Sequence, residues 1–149
     1  MTGHDEYLIA YCGLYCGDCL VFKGEIADLA KTLVGKFEET EFERVAKGLP
    51  IIIDDFKALA NYKQCRDALC SLDGLRCKKV CRQGGGSKSC KIRDCCENKS
   101  LAGCWQCREF EDCRVLGWLE PVHRDGHLKN LRRIRDHGTR EFIRGEKCW

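Results

Sequence analysis

The chain has no apolar run near the ~20 residues that a membrane-spanning helix requires, no Pro-rich or low-complexity stretch and no internal repeat. A membrane span, a collagen-like chain and a disordered acidic tail are excluded. A basic leader is missing too: Met1-Thr-Gly-His-Asp-Glu is acidic, and the apolar stretch after it is broken by Gly13, Gly17 and Asp18, so a cytoplasmic protein is expected. Excess charge is scarce, with 26 Lys and Arg against 23 Asp and Glu, and a net +3 does not by itself indicate a nucleic-acid binder. No Ser-His-Asp set, paired carboxylates or cofactor fingerprint stands out, and an enzyme is not the expectation. Apolar side chains are also fewer than the 44% hydrophobic fraction suggests, because 14 of those 65 residues are cysteine. The remaining 51 make about a third of the 149 residues, thin for an ordinary core.

What the chain does have is helical periodicity at both ends. Ile26, Leu29, Ala30, Leu33, Val34 and Phe37 fall on one stripe of an amphipathic helix. Thr40 and Glu43 have capping-box spacing ahead of Phe42, Val45, Ala46 and Leu49, with Gly48 placed to end a short helix. Pro50 suits the first turn of a third helix through Ile52, Phe56, Leu59 and Ala60, continued through Cys65, Ala68, Leu69 and Leu72 to a turn at Asp73-Gly74. Near the C-terminus, Asp125 can cap a helix carrying Leu128, Leu131 and Ile134 that stops at Gly138, with one more turn over 139–143. The expected fold is mainly α: a small single domain, 1–149, of short helices with an irregular, metal-organised cysteine-rich segment. Its parts would be a helical 1–72, a cysteine-rich lobe 73–119 and a helical 120–149. The charge follows a similar division, −5 over 1–60, +5 over 61–119 and +3 over 120–149.

Between Cys77 and Cys113, eight cysteines stand among 37 residues with only six other apolar side chains, Val80, Ile92, Leu101, Ala102, Trp105 and Phe110. Ordering backbone costs ~1–2 kcal/mol per residue, whereas a structural zinc site contributes ~10 kcal/mol or more of folding free energy. Reducing compartments keep thiols free, so this many cysteines point to metal ligands rather than seven disulfides. Cys12-x3-Cys16-x2-Cys19, Cys90-x4-Cys95-Cys96 and Cys104-x2-Cys107-x5-Cys113, with Cys77 and Cys81, supply half-sites in which two nearby thiolates meet one tetrahedral ion. Spacing does not say which half-sites pair. The candidate ligands are thus Cys12, Cys16, Cys19, Cys77, Cys81, Cys90, Cys95, Cys96, Cys104, Cys107 and Cys113, holding two or three zinc ions or, alternatively, an iron–sulfur cluster. Cys65 reads as a small hydrophobe on its helix stripe, and Cys148, one residue from the end, as a loose thiol.

Other chemistries compete less well. The first triplet has the spacing of a radical S-adenosylmethionine cluster, but an acidic helical segment follows where a barrel would be needed. Cys104-Trp105-Gln106-Cys107 lacks the βαβ context of a redox dithiol. Gly84-Gly85-Gly86-Ser87-Lys88-Ser89 lacks the strand and the Gly-Lys-Ser/Thr end of a phosphate loop, and reads as a flexible connector. His4, His123, His127 and His137 lie outside the cysteine clusters; His123 and His127 have i, i+4 spacing, but a solvated helix start is the plainer reading. Arg76, Lys78, Lys79, Arg82, Lys88, Lys91 and Arg93, with Arg132, Arg133 and Arg135, are candidates for a nucleic-acid surface.

Five ordered motifs, Ala10-Tyr-Cys-Gly-Leu-Tyr-Cys-Gly-Asp-Cys19, Cys81-Arg-Gln-Gly-Gly-Gly86, Cys90-Lys-Ile-Arg-Asp-Cys-Cys96, Gly103-Cys-Trp-Gln-Cys-Arg-Glu-Phe-Glu-Asp-Cys113 and Lys129-Asn-Leu-Arg-Arg-Ile134, followed by Gly145 and Trp149, resemble the bacterial and archaeal cysteine-rich proteins catalogued as domain of unknown function 3795. The resemblance implies a small cytosolic protein presumed to bind zinc, with no established activity. It carries over Cys12, Cys16, Cys19, Cys81, Cys90, Cys95, Cys96, Cys104, Cys107 and Cys113; Cys77 stands four residues before Cys81 where three are expected. The combined expectation is a zinc-binding structural or adaptor module with an unknown protein partner, then an iron–sulfur redox protein, then a nucleic-acid-binding module. Zinc reorders the charge: each tetrathiolate site adds −2, so two sites take +3 to −1 and three take it to −3.

Overall fold

Helix accounts for the architecture, as a computed structural model of the chain describes it over residues 5–149. Among the described residues there is no strand, only an isolated antiparallel bridge between Ile9 and Tyr15. The helices are α1 (Leu20–Lys23), α2 (Glu25–Glu39), α3 (Phe42–Ile52), α4 (Tyr62–Asp73), α5 (Lys91–Asn98), α6 (Glu120–His123) and α7 (Gly126–Arg144), linked by short 3-10 turns. Two compact units result: a helical unit, Lys23–Cys77, and a cysteine-rich unit formed by the residues up to Phe22 together with Lys78–Trp149.

In the helical unit α2 packs on α3 and α4. The expected α2 forms, but its buried residues are Ala27 and Ala30, with Phe37 part-buried below them, while Ile26, Leu29 and Leu33 of the predicted stripe stay exposed. Phe37 stacks on Phe42 with ring centroids 4.9 Å apart, and Tyr62 meets both edge-on at 5.4 and 5.6 Å. Each such aromatic pair adds ~0.5–1.5 kcal/mol beyond the area it buries. Thr40 does not cap α3: its hydroxyl donates to the Lys36 carbonyl at 2.7 Å, closing α2 instead, and Glu41, with φ 49°, occupies the α3 cap without a side-chain bond. Helix α3 runs through Gly48 and holds Pro50 inside its last turn, where the missing N–H removes a bond just before the helix ends at Ile52. A 3-10 stretch, Asp54–Asn61, replaces the first half of the predicted third helix, and α4 supplies the second. Cys65 and Cys70 are both exposed on α4, so Cys65 is not the core residue its spacing suggested.

The cysteine-rich unit is organised around α7. Gly138 (φ 82°, ψ 166°) breaks this helix into 126–137 and 139–144, as its sequence indicated. Leu131 is fully buried among Ala10, Cys12, Leu14, Ile92, Cys96, Cys104, Phe110 and Leu116; Ile134 and Phe142 pack with Ile9 and Tyr15. Three of the nine residues in the first cluster are cysteines, so thiols fill the volume that the sparse apolar residues leave. The loop 9–15 closes through Ala10 N–H to Leu14 O (2.7 Å) and turns at Gly13, whose φ of 84° and contact with Leu131 leave no room for a side chain. Asn130 binds both backbone groups of Cys148 at 2.9 Å, which fixes the C-terminal segment along α7; Cys148 is half-buried and its backbone is held rather than loose.

Candidate metal centre

Local structure presents the cysteines at the ends of tight turns. The Cys19 N–H donates to the Cys16 carbonyl (3.1 Å) and the Cys107 N–H to that of Cys104 (2.9 Å), so each Cys-x-x-Cys closes one 3-10 turn. Cys113 ends a third such turn on Phe110 at 3.3 Å. Cys90 is the N-cap of α5, and within that helix Ile92 and Cys96, four residues apart, both face the core while Cys95 is half-buried beside them. The Cys104 N–H donates to Tyr11 O at 2.8 Å, which brings the loop 9–15 against the 104–106 turn.

Two groups of thiols follow. Cys96 and Cys104 bring their sulfurs to 3.5 Å in the buried core. Sulfurs sharing one zinc ion at ~2.3 Å lie ~3.8 Å apart, so this pair has the separation of two ligands on one ion. Cys95, Cys107 and Cys113 line the same cleft, about 480 Å³ in volume. Cys81 and Cys90 lie close enough to raise Cys12 electrostatically, and Cys90 to raise Cys81, so these three form the second group, with Cys12 also near Cys104. Among the described residues no three His, Cys, Asp or Glu side chains already converge on one point, and the donors that fit best are soft thiols in near contact. The first sequence triplet is divided: Cys12 is buried beside Cys81 and Cys90, whereas Cys16 and Cys19 sit half-buried on their own turn, Cys16 beside Tyr15. Cys77 is half-buried as the last residue of the helical unit.

A family model described as a protein of unknown function (DUF3795) matches residues 8–118. The chain belongs to that family. No curated protein and no solved structure matches it significantly. The family match covers every cysteine proposed as a ligand and ends before α6 and α7, although α7 supplies Leu131, on which the Cys12 loop rests.

Electrostatics distinguish the thiols. Burial pushes Cys12 up to about 12, and burial also raises Cys81. Cys104 is held far above its ordinary range, first by the hydrogen bond it shares with Cys96 and then by burial; the same bond pulls Cys96 down, aided by Arg82 and Lys99. At neutral pH the raised thiols are protonated, and a cation entering either group must displace their protons.

Several residues do other work than their sequence pattern suggested. Arg93, only 7% exposed, donates to four carbonyls, those of Cys81 (3.2 Å), Gly85 (3.0 Å), Ser87 (2.9 Å) and Lys88 (3.2 Å). The Gly-rich segment is therefore pinned rather than flexible. Gly85 is obligatory there, because a Cβ would stand 1.8 Å from Lys79 O. Arg82 donates to Ile9 O (2.7 Å) and Ala102 O (2.6 Å) and lies over the Tyr11 ring. Arg132 and Arg135 pair with Glu111, and Arg133 donates to Glu146 O. The guanidinium groups expected to form a nucleic-acid face are committed within the chain. Nor is His127 solvated: it is fully buried with neither ring nitrogen hydrogen-bonded, and burial lowers its pKa and that of His123. His123 and His127 also do not share a helix, since α6 ends at His123 and α7 starts at Gly126. His4 lies outside the described residues.

Proposed function

We propose that the chain is a cytoplasmic zinc-binding module whose metal sites are structural and whose folded surface serves a protein partner. The observation that carries this reading is the 3.5 Å approach of the Cys96 and Cys104 sulfurs in a cleft also lined by Cys95, Cys107 and Cys113. Cys96, Cys104, Cys107 and Cys113 would hold one ion, and Cys12, Cys81 and Cys90 would contribute to a second. Zinc supplies a fixed tetrahedral cross-link and replaces protons on thiols that are otherwise buried and neutral. Arg82, Arg93 and Lys99 offset the negative charge the thiolates then carry. Cross-linking of α5 to the 104–113 turns is what a segment with six non-cysteine apolar residues needs.

Elemental analysis of anaerobically purified protein tests the proposal. Two or three zinc ions per chain, with loss of helical signal on chelation, is the expected result. Less than one metal per chain, together with a fold indifferent to chelator, overturns it. An all-thiolate cleft equally suits iron, and a brown, reductant-bleachable sample would replace the structural reading with an iron–sulfur redox protein.

A further inference from the structure

At the start of α5, Ser89, Lys91, Arg114, Val115 and Trp118 line an open cleft of about 370 Å³. Its walls are anchored. Lys91 precedes Ile92, 2% exposed, and Trp118 follows Leu116, 1% exposed, so two core residues fix the backbone that presents them. Trp118 nevertheless leaves 59% of its surface in solvent. An indole held outward on an anchored turn is an unused stacking platform.

The cations beside it are equally unused. Most arginines of this unit have a carbonyl or carboxylate partner, as Arg82, Arg93, Arg132 and Arg144 do. Among the described residues neither Lys91 nor Arg114 has an ion-pair partner, and the cleft lining contains no carboxylate. Among the described residues Arg114 is not stacked on the indole either; the guanidinium groups that lie over rings are those of Arg82 and Arg135. One flat aromatic face, two unopposed cations, a hydroxyl and an apolar floor at Val115 call for a ligand that is planar at one end and anionic at the other. The volume lies within the range that encloses a small organic molecule.

We infer that this cleft binds a nucleotide, with the base stacked on Trp118 and the phosphate held by Lys91 and Arg114. An acidic peptide would satisfy the cations and leave the indole bare. The same chemistry is offered by a free mononucleotide and by a nucleotide within a single strand, and the strand would be gripped here rather than on the arginines already committed elsewhere. None of the five residues is a thiol, but Ser89 and Lys91 flank Cys90 and Arg114 follows Cys113, so the site is tested on the metal-loaded chain.

Calorimetry and tryptophan fluorescence on the intact, metal-loaded chain would test it, using AMP, adenosine, inorganic phosphate and an eight-nucleotide oligoadenylate. AMP is expected to bind saturably and quench fluorescence, and Trp118→Phe is expected to remove most of the quench while Trp105 and Trp149 report unchanged folding. Arg114→Met and Lys91→Met should each weaken AMP by about tenfold, the usual effect of losing one charge-assisted hydrogen bond. Adenosine and phosphate alone should bind at least about tenfold more weakly than AMP, because each meets half the site. Oligoadenylate binding far tighter than AMP identifies the strand as the source; equal affinity identifies the free nucleotide. No saturable binding of AMP or oligoadenylate below about 1 mM overturns the inference. So does phosphate binding as tightly as AMP, or Arg114→Met and Lys91→Met variants that bind like the parent.

Discussion

Replacing Arg93 by Met is expected to cost the metal-loaded protein about 3–4 kcal/mol of stability. The side chain is 7% exposed and its two terminal nitrogens donate to four carbonyls between 2.9 and 3.2 Å away. A hydrogen bond to a charged group contributes ~1.5–3 kcal/mol, and a carbonyl left buried without a donor costs ~1–3 kcal/mol. Four full bonds would exceed that figure, but Ser87 and Lys88 are exposed and water can replace the donor there, so the loss falls mainly on the Cys81 and Gly85 carbonyls. For a chain of this length the loss corresponds to a melting temperature lower by about 10 °C. Denaturant unfolding read by circular dichroism measures it directly, and amide exchange over 84–88 should accelerate in the same variant. Arg93→Lys should recover part of the loss, since an ammonium has three donors but no planar fork. An Arg93→Met variant within about 1 kcal/mol of the parent, with protection over 84–88 intact, would refute the view that this one guanidinium holds the loop.

Three further outcomes are expected. Cys104→Ser should lower bound zinc by one equivalent per chain in elemental analysis, whereas Cys65→Ser and Cys70→Ser, on exposed α4 positions, should leave metal content unchanged. Gly85→Ala should destabilise by about 3 kcal/mol or more in the same unfolding assay, because its Cβ would overlap the Lys79 carbonyl and the backbone must move. His127 is neutral and buried with a folded pKa below the unfolded value, so the unfolded chain takes up a proton first as pH falls. Stability should therefore decline as pH drops through about 6.5 and level off below the folded pKa, with His127→Gln showing a shallower decline than the parent over that window.

Helix α2 and the two pieces of α7 were legible because periodicity and a single glycine suffice to define them. The cap at Thr40 and the start at Pro50 were misread for a local reason: a threonine hydroxyl between two helices can close the first as readily as open the second, and a proline is tolerated in a last turn whose acceptor is near its end anyway. The stripe through Ile26, Leu29 and Leu33 was wider than the face that packs, because α2 sits against its neighbours on alanines. At the site, spacing singles out the thiols as candidates but leaves their pairing open, and neighbours along the chain are not all neighbours in space. The turn at Gly13 sends Cys12 toward Cys81, Cys90 and Cys104, and only the packing of that loop on Leu131 could reveal it. Arg93 and His127 gave no signal either. A basic residue near thiols suggests charge compensation, and nothing local shows that four carbonyls converge on it or that α7 buries an imidazole.

The docking of the 9–15 loop on α7 also sets a clock. Cys12 and Leu131 share one core cluster, yet they are 119 residues apart. At a synthesis rate of about 5–20 residues per second, roughly 6–24 s pass between the appearance of that thiol and of the leucine that helps bury it. The helical unit, whose first and last residues both emerge within this interval, can fold meanwhile, so the cysteine-rich unit is the last part of the chain to close. Until then Cys12, and each of Cys81, Cys90 and Cys96 once it has emerged, is open to oxidant and to free metal without a fold to bury it.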